Sequence, residues 1–294
     1  VVRIFQFVVV AIFSIAVAVT LLQALKPHPE RKGPLIMGVF PRRHATLTVD
    51  YFSPMAKYLS RQLQRRVFVE SAQDFETFWE NLRNRRYDIV HYNQYHYIRT
   101  HKDLNYEIML MNEERGRSTI TASIVVRRNA GYRTVQDLKG KTIFFGGGQK
   151  AMQSYIYATY LLHQGGLKDG DYGVRFGQNP PSAIVAAYHG LWDAAAAGTG
   201  DVVLELPVVT KQINADEMTY LVKGEQFAQL PWAIKGELPD DVKQAVKNAM
   251  LQLNNSPQGG KILKKAKLTG LLPAVDSDYD PHRRIVKEVL GEIY

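Results

Sequence analysis

The chain has 294 residues, 46% of them apolar and 22% charged, the balance of a folded protein long enough for one large or two modest domains. It contains no cysteine, which excludes disulfides, thiolate zinc sites, a cysteine nucleophile and cysteine lipidation. The net charge of +9 favours an anionic ligand or an anionic lipid surface. Nucleic acid is not the expected partner, because the basic residues form scattered pairs such as Arg65-Arg66 and Arg85-Arg86 rather than a patch.

Residues 1–25 carry one charge, Arg3, in an otherwise apolar run. Two readings stand. One is a signal peptide with Ala16-Val17-Ala18 as its cleavage site, and the other an uncleaved membrane anchor long enough to span. Residues 26–33, KPHPERKG, form a polar linker in either case. The segment marks the remainder as an exported body.

That body begins with a strand over 34–39. A helix is expected to start at Ser53-Pro54, with serine as N-cap and proline in the first turn. A second strand follows over 66–70. Asp74 then caps a helix whose buried stripe is Phe75, Phe78, Trp79 and Leu82, and a third strand lies over 87–90. This alternation is the right-handed parallel unit of a doubly wound α/β sheet, in which ligands lie beyond the C-terminal strand ends. One such end is the run His91-Tyr92-Asn93-Gln94-Tyr95-His96-Tyr97, which reads either as a helix start packed on its own lobe or as a pocket wall of hydrogen-bonding groups. His91, His96 and His101 recur every five residues, which does not align ligands on one helix face, so no metal site is expected.

An extended segment over 119–127 leaves this first lobe, and a second α/β lobe begins near 137–141. Its central feature is Lys141–Gly166: a strand over 142–145, the turn Gly146-Gly147-Gly148, and a helix from about Lys150 that stops at Gly165-Gly166. A glycine turn ahead of a helix presents bare N–H groups at the positive end of the helix dipole, where an anion can bind. Gly146, Gly148 and Ala151 also fit a loose dinucleotide-binding spacing, but the next strand (173–176) ends in Gln178-Asn179 without the supporting carboxylate, and no Walker pattern is present. A helix over 182–188 follows, and then short strands or turns over 192–196 and 201–204. Asp201 lies where a side chain reaches a cleft or caps the next segment. Strands over 220–222 and 232–235 return the chain to the first lobe, and helices follow at 239, 257–267 and 281–292. The segments divide as 34–130 and 222–294 for one lobe and 131–221 for the other, joined by a two-stranded hinge that permits closure around a ligand.

In order and spacing these features resemble the phosphate/phosphite/phosphonate family of periplasmic solute-binding proteins that serve ABC importers. The likeness runs from about Leu35 to Tyr294. It is carried by Gly38-Val39 with Pro41, Ser53-Pro54-Met55-Ala56-Lys57-Tyr58-Leu59, and Tyr87-Asp88-Ile89-Val90 with Tyr92. Asp137-Leu138-Lys139-Gly140-Lys141 with the glycine turn, Leu230-Pro231-Trp232-Ala233-Ile234 and Asp278-Tyr279-Asp280-Pro281 complete it. The resemblance implies a type II periplasmic-binding-protein fold holding a small oxyanion between its lobes, with an inner-membrane ABC permease as partner, no cofactor, no catalysis and a monomeric state. It carries an anion-binding tyrosine onto Tyr92 and an aspartate onto Asp201. The family's Ser/Thr anion loop is replaced by Gln149-Lys150-Ala151-Met152-Gln153, with Ser154 the nearest hydroxyl, and the usual His and acidic residue by Gln178-Asn179. Lys150 offers a compensating charge, and loss of an acidic group argues against an aminophosphonate. The expected site is therefore Gly147, Gly148, Gln149, Lys150 and Ser154 on one side, Tyr92, Asn93 and Tyr95 on the other, with Asp201 and Arg42. Periplasmic delivery to the permease is the leading reading. The alternative is a membrane-anchored sensory protein that presents its bound state to a receptor or kinase.

Overall fold

A computed structural model describes residues 33–42 and 44–294, so the expectations for 1–25 and most of the linker lie outside the described residues. Two sheets organise the body. The first has the strand order β13-β4-β12-β3-β1-β2. Its parallel part is β1 (Leu35–Val39), β2 (Val67–Ser71) and β3 (Ile89–His91), and its antiparallel part β4 (Tyr106–Glu113), β12 (Pro231–Lys235) and β13 (Gly270–Pro273). Helices α1 (Ala45–Gln62), α2 (Phe75–Arg83) and α3 (Gln94–Leu104) belong to this lobe, as do α7 (Asp240–Gln252), α8 (Pro257–Lys265) and α9 (Asp280–Leu290).

The second sheet has the order β10-β6-β9-β7-β8. Its strands are β6 (Ala122–Arg127), β7 (Thr142–Gly146), β8 (Gly173–Gly177), β9 (Ala194–Gly200) and β10 (Met218–Lys223). Its helices are α4 (Ala158–Gln164), α5 (Pro180–His189) and the four-residue α6 (Pro207–Thr210). Between the sheets, β5 (Thr119–Ile120) pairs antiparallel with β11 (Phe227–Ala228), Phe227 opposite Ile120. The chain thus crosses from one sheet to the other on one strand of this ribbon and returns on the other. This is a two-lobed α/β body with a two-stranded hinge.

Four elements depart from the sequence expectation: the strand over 220–222, expected to return the chain to the first lobe, is β10, paired with β6 in the second sheet, and three others depart for a packing reason. Helix α1 starts at Ala45, not at Ser53, because its apolar stripe continues upstream: Thr48, Phe52, Met55, Ala56 and Leu59 are all buried. Ser53 caps nothing; its hydroxyl donates to the Val49 carbonyl at 2.6 Å, and Pro54 sits inside the helix. The stretch around Ala194–Gly200, expected as short strands or turns, is one central strand paired with both β6 and β7. Alanine is a poor strand former, but space decides here: a side chain at Gly198 would collide with the Phe145 ring. Finally, the helix after the glycine turn begins at Met152 with a π-helical segment (Met152–Tyr157) that runs into α4. The N–H groups of both Tyr155 and Ile156 reach the Ala151 carbonyl, at 3.0 and 3.1 Å.

Four apolar clusters hold the body together. One packs β1, β12 and β13 against α1, α7 and α8 through Met37, Phe52, Trp232, Met250 and Leu263. Two flank the second sheet, around Phe144 and Phe145. The remaining cluster crosses the lobe boundary. It joins Phe78, Trp79, Tyr97, Ile285 and Val286 of the first lobe to Met152, Ile156, Tyr157 and Leu161 of the second. Non-directional burial therefore holds the lobes together as well as each lobe's interior.

Candidate ligand-binding site

Three backbone starts meet where the lobes touch. The first turn of α2 is fixed by Asp74, whose carboxylate accepts from the Thr77 N–H at 2.7 Å; this bond holds the Asp74 carboxyl below its ordinary range. The first turn of α3 is fixed by Asn93, whose Oδ1 accepts from the His96 N–H at 2.9 Å. The same amide works across the cleft, its Nδ2 donating to the Lys150 carbonyl at 3.0 Å. The third start is the glycine turn. Gly147 and Gly148 adopt φ of +108° and +79°, a region that glycine enters without strain, and Gly147 passes close to the Phe75 ring.

Around this meeting point the sequence-predicted residues separate. Lys150 and Asn93 are brought together. Gly147, Gly148 and the exposed Gln149 lie in the turn beside them, although the Gly147 N–H is spent on the Gly177 carbonyl at 2.9 Å. Ser154 is buried, and its hydroxyl donates back to the Gly146 carbonyl, closing the turn. The Tyr92 ring is fully buried, with its hydroxyl accepting from Thr100 Oγ1 on α3 at 3.0 Å. Burial pushes that phenol well up, so it stays neutral. Tyr95 points to the C-terminal tail, donating to Glu292 at 2.9 Å. Arg42 lies at a small recess of about 10 Å³ with Thr48, Phe52, His91, Glu114 and Lys267, and Asp201 sits beside the hinge.

Four cations near the cleft have a carboxylate partner. Lys150 Nζ lies 2.7 Å from Glu76, Arg42 2.8 Å from Glu114, Arg115 2.9 Å from Glu205 and Arg117 3.6 Å from Asp201. Asp201 does not cap the following turn; its carboxylate also accepts from Gln226 Nε2 at 3.0 Å. Burial works to raise the Glu114 carboxyl, but Arg42, with His91 and Asn112, outweighs it and the net direction is down. An incoming anion at Lys150 must therefore share the ammonium with Glu76.

Several residues at this site carried no separate signal in the sequence. Glu76 and Phe75 are visible only as the first turn of a capped helix. His96 stacks on Phe75 and Trp79 at ring separations of 5.8 Å each, in a box closed by Phe78 and Tyr95. Burial, helped by Lys150 and Arg99, pushes its imidazole down to about 3. His91 stacks on Trp232 at 4.5 Å, and His101 bonds the Tyr106 carbonyl at 2.8 Å. Among the described residues no group of three His, Asp or Glu side chains is placed to hold a metal ion.

The model of the periplasmic substrate-binding protein of phosphonate ABC transporters matches residues 37–279. The chain belongs to that family. Its fold is similar to that of PhnD1 from Prochlorococcus marinus (MIT 9301) in complex with methylphosphonate. The TM-score is 0.76 and the identity 15%, over 88% of this chain and 98% of that one. It is also similar to XAC2383 from Xanthomonas citri bound to ATP. There the TM-score is 0.75 and the identity 16%, over 90% of this chain and 100% of the other. At these identities the likeness is one of fold. In sequence, 169 residues are 27% identical to the tetrathionate sensor histidine kinase TtrS of Salmonella typhimurium (strain LT2). That match takes in 54% of this chain and only 28% of the kinase. The family is periplasmic and binds small solutes. Among the described residues no helix is long and apolar enough to cross a membrane.

Proposed function

We propose that this chain captures a small oxyanion between its lobes and delivers it to an ABC permease of the inner membrane. The observation that carries this reading is the bond from Asn93 Nδ2 to the Lys150 carbonyl, which joins the start of α3 to the glycine turn across the cleft. An anion seated there meets the Lys150 ammonium and the amides of Gly148 to Lys150. Asn93 closes the other side. Tyr92 supports α3 from behind, through Thr100, rather than touching the ligand. Arg42 and Asp201 bound the cleft at their own carboxylate and guanidinium partners. The lobes divide near 120 and 226, where the hinge ribbon runs, and no step of catalysis is involved. Thermal unfolding of the full chain with phosphate, phosphite, methylphosphonate, alkylsulfonates or tetrathionate tests this. A ligand at 100 times its Kd stabilises by about 2.7 kcal/mol. No shift with any of them removes the oxyanion.

A second reading is favoured by the 169-residue match to a sensor kinase. In it the same site is read by a membrane receptor or kinase, and the chain stays tethered to the membrane. Capture of membrane partners from native cells separates the two: an ABC permease supports import, a histidine kinase supports sensing.

A further inference from the structure

The seam between the lobes continues from the Asn93–Lys150 contact toward the hinge, and there it changes character. Gln94 and His282 are fully buried, and the amide of Gln153 is buried at its tip. Gln94 follows Asn93 in the first turn of α3, and Gln153 lies three residues after Lys150. The Gln94 Nε2 donates to the Ala228 carbonyl of β11 at 3.0 Å, but its Oε1 finds no partner among the described residues. Neither amide atom of Gln153 and neither ring nitrogen of His282 finds one there. Phe227 ties the group together: its ring lies 5.4 Å from Tyr157, one turn after Gln153, and 5.7 Å from His282. Gln153 and Tyr157 both belong to the π-helical segment, against which α9, the helix of His282, packs.

Five polar atoms from three elements are thus buried without partners along one seam. Such groups destabilise a fold, so they persist where something else completes them. A π-helical segment, itself uncommon and frequent at functional sites, presents one of them. The three side chains are uncharged, since burial with Arg283 nearby pushes the His282 imidazole down to about 3. We propose that this seam is the subsite for the rest of the ligand, which is an oxyanion bearing an uncharged chain with hydrogen-bonding groups. Gln153 and Gln94 each offer an acceptor, and the Gln153 amide and one ring nitrogen of His282 offer donors. This inference rests on the oxyanion reading above and names the ligand class for that site.

Calorimetric titration of the full chain with methylphosphonate, ethylphosphonate and 2-hydroxyethylphosphonate tests it. The hydroxyl is expected to improve affinity over the ethyl compound by at least about fivefold, the value of one buried hydrogen bond. Gln153→Leu and His282→Phe are each expected to bring that ratio to about one while raising the unfolding temperature of the ligand-free protein. Should His282→Phe fail to fold, Gln153→Leu carries the comparison alone. Equal affinity for the ethyl and hydroxyethyl compounds in the unaltered protein overturns the subsite and leaves the oxyanion site standing. No binding by any phosphonate, bare or substituted, overturns both.

Discussion

The two ends of the interlobe contact are built on opposite principles. At the rim, Lys150 and Glu76 are charged, paired and partly exposed, with side-chain exposures of 31% and 65%. At the hinge end, Gln94 and His282 and the amide tip of Gln153 are neutral, buried and incompletely bonded. The exposed pair sits in high dielectric and contributes little to stability, yet in the proposed site its ammonium is the charge available to draw an anion in. The buried groups act the other way: each unpartnered atom weakens the fold, and in the proposed subsite it would separate ligands that can complete it from those that cannot. In the proposed site attraction is placed where water can screen it, and selectivity where water is excluded.

The largest effect comes from the apolar groups that bring the two ends together. Tyr157 is buried in the cluster shared by both lobes and donates to the Glu225 carbonyl at 2.9 Å. Replacing it with alanine is expected to lower stability by about 3–5 kcal/mol in denaturant unfolding. A loss under about 1 kcal/mol would show that the lobes do not share a core.

Next in size, taken per pH unit, is acid sensitivity. His96 and His282 are held at about 3 in the folded protein against an ordinary value near 6.5. Between those limits the unfolded chain takes up protons that the folded one refuses. Stability is therefore full above about pH 6.5 and is lost as pH falls toward 3, by roughly 1.4 kcal/mol per pH unit for each histidine. Thermal midpoints across this range should flatten in a His96→Phe, His282→Phe double variant. An unchanged slope would mean that other groups dominate.

A smaller change separates the two roles of Asn93. Asn93→Asp keeps the cap on α3 but removes the Nδ2 donor to Lys150, whereas Asn93→Ala removes both. The alanine variant should lose the cap, worth about 0.5–2 kcal/mol, whereas the aspartate variant keeps the cap but sets a carboxylate oxygen against the Lys150 carbonyl. Both should weaken oxyanion binding in titration, the aspartate more, since it brings a negative charge to the site.

The smallest expected effect is at the rim. Glu76→Gln should change stability by less than about 1 kcal/mol, and less still at high salt. It should tighten oxyanion binding by freeing Lys150, and weaker binding would place Glu76 among the ligand's own contacts.

Most of the scaffold is legible in the sequence, because strand, glycine turn and capped helix are local patterns: β7, the Asp74 cap and the stop at Gly165 are all read from neighbours in the chain. The start of α1 is not, since serine and proline mimic a helix start that burial of Thr48 and Phe52 overrides. The π-helical segment is invisible for a similar reason. Apolar residues at Met152, Ile156 and Thr159 fit an α-period, and only the shared Ala151 carbonyl reveals the wider turn. At the site, sequence reasoning brings Asn93 and the glycine turn forward but misses the partners of its charges. Glu76 lies 74 residues from Lys150 and Glu114 lies 72 from Arg42. The orientation of Tyr92 depends on Thr100, and the orphaned amides on closure of the lobes; both are tertiary events with no local signature.

Amide hydrogen exchange of the full chain with and without methylphosphonate, and again with tetrathionate, tests the central claim most directly. A bound oxyanion is expected to slow exchange at Gly148 to Lys150 and at the first turn of α3, with the hinge strands following. Binding that protects neither segment, or protects the recess near Arg42 instead, would contradict it.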